Sequence, residues 1–446
     1  MQTHPLSLSF RTSLSLLVND AVWTMATVLH AFAPHLRDNL RERLVLDLPE
    51  ESSLSEGFDV WIQAESGGET LVAWEILKTL PPQGRLKILL TASTMDGLDA
   101  LSKTAMDFSK TRPDLDIWTS SFPFDATNLM RKALLTYRPK VVVLLEAELH
   151  PGLMSQCTRL GVPLIVANAR ISTDKLAKCL GQNTMWREIA PRATLAVTEN
   201  DASRFQLLFG EDKNVSSISN IKFDYLGEGD PIPFVENTLN RLFRPTASLA
   251  VFGSVHEEEE DDVIRAAARL HVKRPKTFIG IFPRLPYRTP AIKKALDDAG
   301  LPFVLRSQIT SHVSAGTIIL WDRFGELNAA YSMARAVFVG GSLHPLGGQN
   351  FLEPLHAGVI PIIGPYWRHF AWIGEGIVDQ GLVTQVAGWK DLAEAMLSYL
   401  KRPKSREKVR KEASEYIRAR QGGTVAVCHE IRKHLQAGFG YAKISR

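Results

Sequence analysis

The sequence predicts an α/β protein built from two doubly wound parallel domains in tandem. Three observations carry this expectation. β-forming apolar runs alternate with helical periodicity from Val60 to about Asp224. A segment holding Pro231, Pro233 and Pro245 interrupts the pattern, and the alternation then starts again. Such alternation calls for parallel strands with helices covering both faces of each sheet. At 446 residues the chain has room for two or three domains.

In the first half, strands are expected at Val60–Gln63, Leu86–Thr91, Ile117–Thr119, Val141–Leu145, Leu164–Ala167 and Leu195–Thr198, with helices such as Glu69–Leu80, Thr127–Tyr137 and Asp201–Phe209 between them. Gly227 to Pro245 reads as a linker. In the second half, strands are expected at Leu249–Phe252, Thr277–Ile281, Phe303–Leu305, Ile318–Trp321, Ala336–Val339 and Val359–Ile363. Helices fit Glu257–Leu270, Ala291–Asp298, Leu327–Ala334 and Leu392–Leu400. The charged helical segment Ser405 to Gln436 is expected to cross back and brace the first domain. The resulting division is an N-terminal helix over residues 1–45, a first domain over 46–230, a second over 231–420 and a closing helix over 421–446.

Composition narrows the function classes. A formal charge of +4 is too small to argue for a nucleic-acid partner, and none is expected; it suits an acidic small substrate or an anionic surface. Cys157, Cys179 and Cys428 are far apart and form no cluster with ligand spacing, which argues against structural zinc and for a reducing compartment. Near the N-terminus, Arg11, Asn19, Asp20 and His30 interrupt an apolar stretch, so a spanning helix fits poorly, and no signal-type cleavage site follows. Leu14, Val18, Ala21, Met25, Val28, Leu29 and Phe32 share one helical face, with Arg37, Arg41 and Arg43 just beyond. That pattern suits a helix lying in a membrane interface beside acidic headgroups. The alternative is a helix packed on its own domain or on a partner subunit.

The stretch FVGGSLHPLGGQNFLEPLHAGVIPIIGP, Phe338 to Pro365, reads as strand, Gly-rich loop, helix start and strand. Asn350 is expected to open the helix. Amides of Gly347, Gly348 and Asn350 would face a phosphate, and Glu353, one turn in, would accept from sugar hydroxyls or serve as a cap. This is the pattern of a nucleotide-sugar site on an open sheet. Ser254 is a natural N-cap, and a lone His256 is more often structural. The six acids Glu257 to Asp262 read as a solvated first turn, because consecutive helical acids point in different directions; no metal is expected.

Several blocks resemble, in order, those of one family. They are WIQAESGGE (Trp61–Glu69), FPFD (Phe122–Asp125), RPKVVVLLEAELHP (Arg138–Pro151), NARIS (Asn168–Ser172), NIKFD (Asn220–Asp224), GSVHEEEE (Gly253–Glu260), PRLPYR (Pro283–Arg288), FGELNAAYSMARAVFVGGS and GGQNFLEP, after an amphipathic start and RERL (Arg41–Leu44). The resemblance is to the 3-deoxy-D-manno-octulosonic acid (Kdo) transferases of lipopolysaccharide synthesis, GT-B glycosyltransferases with two Rossmann-like domains facing a cleft. Departures are Gln63 for the first motif's His, Gly67 for its Val, Leu285 and Tyr287 in PRHxER, Gln349 in GGHN, and EAELHP for ETELWP.

The resemblance implies an inverting transfer of Kdo from CMP-Kdo to a lipid A precursor at the cytoplasmic face of the bacterial inner membrane, with no cofactor. It implies Glu69 as general base, with a pKa raised by partial burial; as a plain helix-start carboxylate its pKa would instead fall. Arg284, with Ser254 and Lys222, would serve the donor's phosphate or carboxylate, alongside Gly347, Gly348, Asn350 and Glu353. Ser66, Gly67, Gly68 and Arg170 would orient the acceptor or a sugar carboxylate. Arginines at the N-terminus and Arg131–Lys132 would meet lipid phosphates. Two alternatives stand beside this: a GT-B enzyme using a UDP-sugar, and a non-catalytic paralogue that binds lipid or nucleotide.

Overall fold

The computed structural model describes residues 8–32, 40–46, 57–65, 67–82, 84–146, 148–226 and 232–437. They form two compact units, one holding the described residues up to Tyr225 and from Arg420 onward, the other those from Leu226 to Ala419.

The first unit holds seven parallel strands: β1 Val60–Gln63, β2 Leu86–Ala92, β3 Leu115–Ser121, β4 Val141–Leu145, β5 Leu164–Ala169, β6 Ala193–Ala196 and β7 Val215–Ser217. They lie in the order β3-β2-β1-β4-β5-β6-β7. Val60 of β1 registers with Ile88 on one side and Val141 on the other. Strand β4 shows why the sequence reads as an unbroken apolar run. Val142 and Leu144 enter one core, Val141, Val143 and Leu145 the other, so both faces are covered. The order reverses between β1 and β4, which opens a crevice beyond their carboxyl ends.

The second unit repeats the plan with β8 Leu249–Val255, β9 Phe278–Pro283, β10 Phe303–Leu305, β11 Ile318–Leu320, β12 Ala336–Val339, β13 Pro361–Ile363 and β14 Thr384–Gln385. The order is β10-β11-β9-β8-β12-β13-β14, all parallel, and the reversal lies between β8 and β12. The two outermost strands β7 and β14, of three and two residues, have no sequence signature: at that length apolar alternation cannot show. The expected strand Leu195–Thr198 sits two residues earlier. Thr198 instead caps the next helix, its side chain accepting from Asp201 N.

The closing segment is two helices, Arg406–Arg418 and Gly423–Gln436, and the second belongs to the first unit. Asp224 accepts from the amides of Gly422 and Thr424, both at 2.7 Å, and so caps that helix. Val427, Cys428 and Ile431 then fill the core against Val72, Ala73 and Ile76.

The N-terminal helix Phe10–Phe32 docks through buried Thr12 and Leu16. Asn19 Nδ2 donates to Asp125 O at 2.7 Å. Asp20 accepts from Thr127 N at 2.7 Å and Thr127 Oγ1 at 2.6 Å, supplying from a distant helix the cap that Ala126 lacks for Thr127–Tyr137. Asp20→Ala is therefore expected to cost about 1–2 kcal/mol in urea unfolding, the worth of a lost N-cap. Phe10, Leu14, Leu17, Val18, Val22 and Met25 remain exposed on this helix. The side chains of Val28, Leu29 and Phe32, and residue Arg37, fall outside the described set. Arg43 is not presented to solvent as expected. It is half-buried with its guanidinium 4.3 Å from the Phe124 ring centroid.

Candidate active site

Each unit gathers chemistry at the carboxyl ends of its central strands. Five described non-glycine residues have positive φ, and three of them stand there: Glu146 (φ 56), Asn168 (φ 53) and Ser254 (φ 54). This conformation costs roughly 1–2 kcal/mol per residue. Its concentration at strand ends that form a crevice is the usual mark of a functional constraint.

In the first unit, β1 delivers Gln63 and Glu65, and the helix Gly67–Thr79 begins at once. Ser66 lies outside the described residues. A Cβ at Gly68 would meet nothing within 4 Å, and the residue is exposed at the helix start, so packing does not require glycine there. Glu69 accepts from Glu65 N. Its pKa is pushed up to about 7, chiefly by burial, against the lowering effect of that amide and with help from the charges of Glu146, Glu65 and Glu148. The direction is the one anticipated for a buried carboxylate, not that of an exposed helix-start acid. Glu65 is held in turn by Ser93 Oγ at 2.7 Å and Gln63 Nε2 at 3.3 Å.

Arg170 and Lys222 do converge on this crevice, but not as cations open to an anion. Both bind Glu146, Arg170 Nη2 and Lys222 Nζ each at 2.5 Å from one of its oxygens. Lys222 thus belongs to the first unit's site rather than to the loops expected to hold the nucleotide. Asn168 locks the arrangement: its Oδ1 accepts from Ile221 N at 2.9 Å, its Nδ2 donates to Glu146 at 3.4 Å, and Asn220 caps the turn that carries Lys222. Arg170 Nε is buried with no hydrogen-bond partner among the described residues. Glu146 was missed as a site residue, although an acid closing the run VVVLL is a visible signal in a parallel strand.

In the second unit, Ser254 is not an N-cap. It is the sixth residue of β8, and His256 occupies the cap position before Glu257–Glu259. The acidic run is not a solvated turn either. Glu259 is fully buried and accepts from the amides of Gly341 (2.6 Å), Ser342 (2.9 Å) and Leu343 (2.8 Å). It fills the nest of N–H groups after β12 that would otherwise suit an external anion. Glu260 and Glu257 pair with Arg288, and Asp262 faces His344 at 3.2 Å. Successive acids thus find separate partners, as helical geometry requires. Among the described residues no three His, Cys, Asp or Glu side chains are grouped to hold a metal ion.

The Gly-rich loop also departs from expectation. Asn350 does not start the helix, which is only Leu352–His356; its Oδ1 accepts from Leu352 N at 3.2 Å and its Nδ2 donates to Glu353 at 3.0 Å. The Gly348 amide is spent internally on Gly341 O at 2.6 Å, so it is not a free phosphate donor. Gly347 lends its carbonyl to His369 N at 3.0 Å. Glu353 has its pKa raised by burial, opposed by Asn350. Gln349 and His256 meet at 3.1 Å. Arg284 projects from the loop after β9, exposed, and its guanidinium makes no hydrogen bond or ion pair among the described residues, unlike its neighbour Arg288. Gly347 has φ 98, and a Cβ there would run into the His369 ring. Gly347→Ala should cost about 1–2 kcal/mol from the backbone term and weaken nucleotide binding, readable in one titration series at increasing urea.

Comparison with known proteins agrees with this architecture. A family model described as "3-Deoxy-D-manno-octulosonic-acid transferase (kdotransferase)" matches residues 38–225. The 3-deoxy-D-manno-octulosonic acid transferase of Haemophilus influenzae is 26% identical over 435 residues, covering 96% of this chain and 98% of that one. That of Bordetella pertussis is 28% identical over 376 residues, covering 82% and 85%. Among solved structures, a putative UDP-N-acetylglucosamine 2-epimerase from Listeria monocytogenes superposes with a TM-score of 0.53 at 13% identity, over 86% of this chain and 98% of that one, a likeness of fold alone. With its tandem parallel sheets the chain is a GT-B glycosyltransferase, similar over residues 38–225 to the Kdo transferase family model and, at 26–28% identity over most of its length, to named Kdo transferases.

Proposed function

We propose that the protein transfers Kdo from CMP-Kdo to a lipid A precursor with inversion at the anomeric carbon. The observation that carries this reading is Glu69: a carboxylate in the first turn of the helix that follows central strand β1, whose pKa is pushed up to about 7 by burial. A base with that pKa is matched to proton removal at neutral pH. Glu69 takes the proton of an acceptor hydroxyl, the oxygen attacks the anomeric carbon, and the bond to the CMP phosphate breaks with its electron pair leaving on CMP. One base and a single displacement give inversion.

The first unit takes the acceptor and the second the nucleotide sugar. Arg284, as the loop cation without a carboxylate partner, meets the donor's phosphate or carboxylate; Glu353 and Asn350 face the ribose. Arg170, paired with Glu146, helps to fix the carboxylate cluster around Glu69. The exposed apolar residues of Phe10–Phe32 rest on the anionic inner-membrane surface at its cytoplasmic face, which brings the lipid acceptor to hand. No helix among the described residues is long and apolar enough to cross a membrane.

The test is release of CMP with a lipid A precursor as acceptor, with mass spectrometry of the lipid. A mass increase of one or more Kdo groups supports the reading. Binding that UDP competes for and CMP does not, or turnover only with a water-soluble acceptor, overturns the donor or the acceptor assignment respectively.

A further inference from the structure

The amino ends of β8 and β12 border a cavity of about 280 Å³ in the second unit, lined by Arg244, Arg335 and Arg406 together with Phe234, Phe243 and Met333. A water molecule's share of bulk liquid is roughly 30 Å³, so the cavity holds a polyatomic ligand. It lies at the opposite end of β8 from Ser254, a strand of seven residues, or roughly 20 Å at the usual rise. It is therefore separate from the loops assigned to the nucleotide.

Its charge is unbalanced. Among the described residues no carboxylate lines it. Arg406 is half-buried and locked by donation to Ala357 O at 2.7 Å and Ala334 O at 2.5 Å, the carbonyls at the ends of two helices. Those bonds fix the guanidinium without supplying a counter-charge. The charges acting on it are those of Arg410 and Arg335, which with burial lower its pKa. Arg335 reaches only a main-chain oxygen, Thr246 O at 3.5 Å, and Arg244 has no side-chain partner among the described residues. The adjoining run 401–411 holds seven cations against the single acid Glu407, while the whole chain carries only +4. Three planar donors around a concave space, with no acid among them, match a tetrahedral oxyanion better than a carboxylate-bearing partner helix. The aromatic wall leaves room for an organic substituent.

We propose that this cavity is a second anion site, which takes a phosphate group, free or as the headgroup of an acidic phospholipid. The double substitution Arg244→Gln with Arg335→Gln tests it in the full chain; both side chains are exposed, so the fold is retained. In the first arm, inorganic phosphate is titrated at constant ionic strength while thermal unfolding is followed. Wild type gains stability, Arg284→Gln loses at most the share contributed by the donor loop, and the double variant loses at least about tenfold in phosphate affinity. In the second arm, sedimentation with phosphatidylglycerol vesicles is compared with phosphatidylcholine vesicles. Loss confined to the first arm assigns free phosphate; a several-fold loss of phosphatidylglycerol binding assigns the lipid headgroup. The double lysine variant, which keeps the charge, retains most of the binding, which separates a lost site from a damaged fold. Wild-type behaviour of the glutamine variant in both arms overturns the site. Because Arg284 is the control, failure of the donor assignment would leave this result readable.

Discussion

Glu69→Gln is expected to lower turnover by roughly 10²–10⁴-fold, the usual worth of a positioned base, with CMP binding held at its wild-type value. The variant should also gain stability. Glu69 titrates near 4.5 in an unfolded chain and near 7 in the fold. Between those values the folded protein holds a proton that the unfolded chain has released, so stability declines as pH rises from 4.5 and levels off above about 7. The accumulated penalty is about 3 kcal/mol at 1.36 kcal/mol per unit. Gln is neutral throughout and still offers an oxygen to the Glu65 amide. Urea midpoints should coincide for the two proteins near pH 4 and separate in the variant's favour near pH 8. The wild-type pH–rate profile should rise through about pH 7, when the base deprotonates, and that limb should vanish in the variant. Undiminished transfer by Glu69→Gln would falsify the base assignment whatever the stability data show. A gain in stability joined to a loss of turnover is the signature of a residue kept at the fold's expense.

What the sequence reveals, and what it hides, follows from how each feature is encoded. Central strands such as Val141–Leu145 are legible because burial on both faces demands an unbroken apolar run. Glu69 is legible because it directly follows a strand and two glycines. The partners of Arg170 and Lys222 are not, since Glu146 lies 24 and 76 positions away and the pairing depends on β4 and β5 lying side by side. Ser254 misled because a serine before acids mimics a cap, while here the strand continues through it with φ 54. The Gly-rich loop misled differently. Its glycines do mark positive φ at Gly341, Gly347 and Gly348, but composition cannot say whether an amide faces a ligand or another carbonyl.

The second large effect is expected at Glu259, which local sequence disguises most completely. It is one of six consecutive acids, yet it alone is buried without a cationic partner and joined to four main-chain amides, that of His256 and those of Gly341, Ser342 and Leu343. The last three of those amides lie 82 to 84 residues further along the chain, on the loop leaving β12. The same loop holds the Gly-rich segment in place, through Gly348 N to Gly341 O and Gln349 N to Gly340 O. Glu259→Ala leaves three buried donors with no acceptor, each at a cost of about 1–3 kcal/mol. Partial relaxation should leave a net loss of about 4 kcal/mol, among the largest that a single substitution produces. Glu259→Gln keeps one oxygen but turns an N–H₂ toward an amide, so about half that loss is expected. Urea unfolding of the three proteins measures the ranking. Because the vacated nest has the shape of an anion site, formate should restore part of the stability of Glu259→Ala and none to the wild type. CMP affinity should fall in step with stability across the series. If stability falls and CMP affinity does not, the nest supports the sheet alone, and the nucleotide is held by Arg284 and Glu353 without help from the loop.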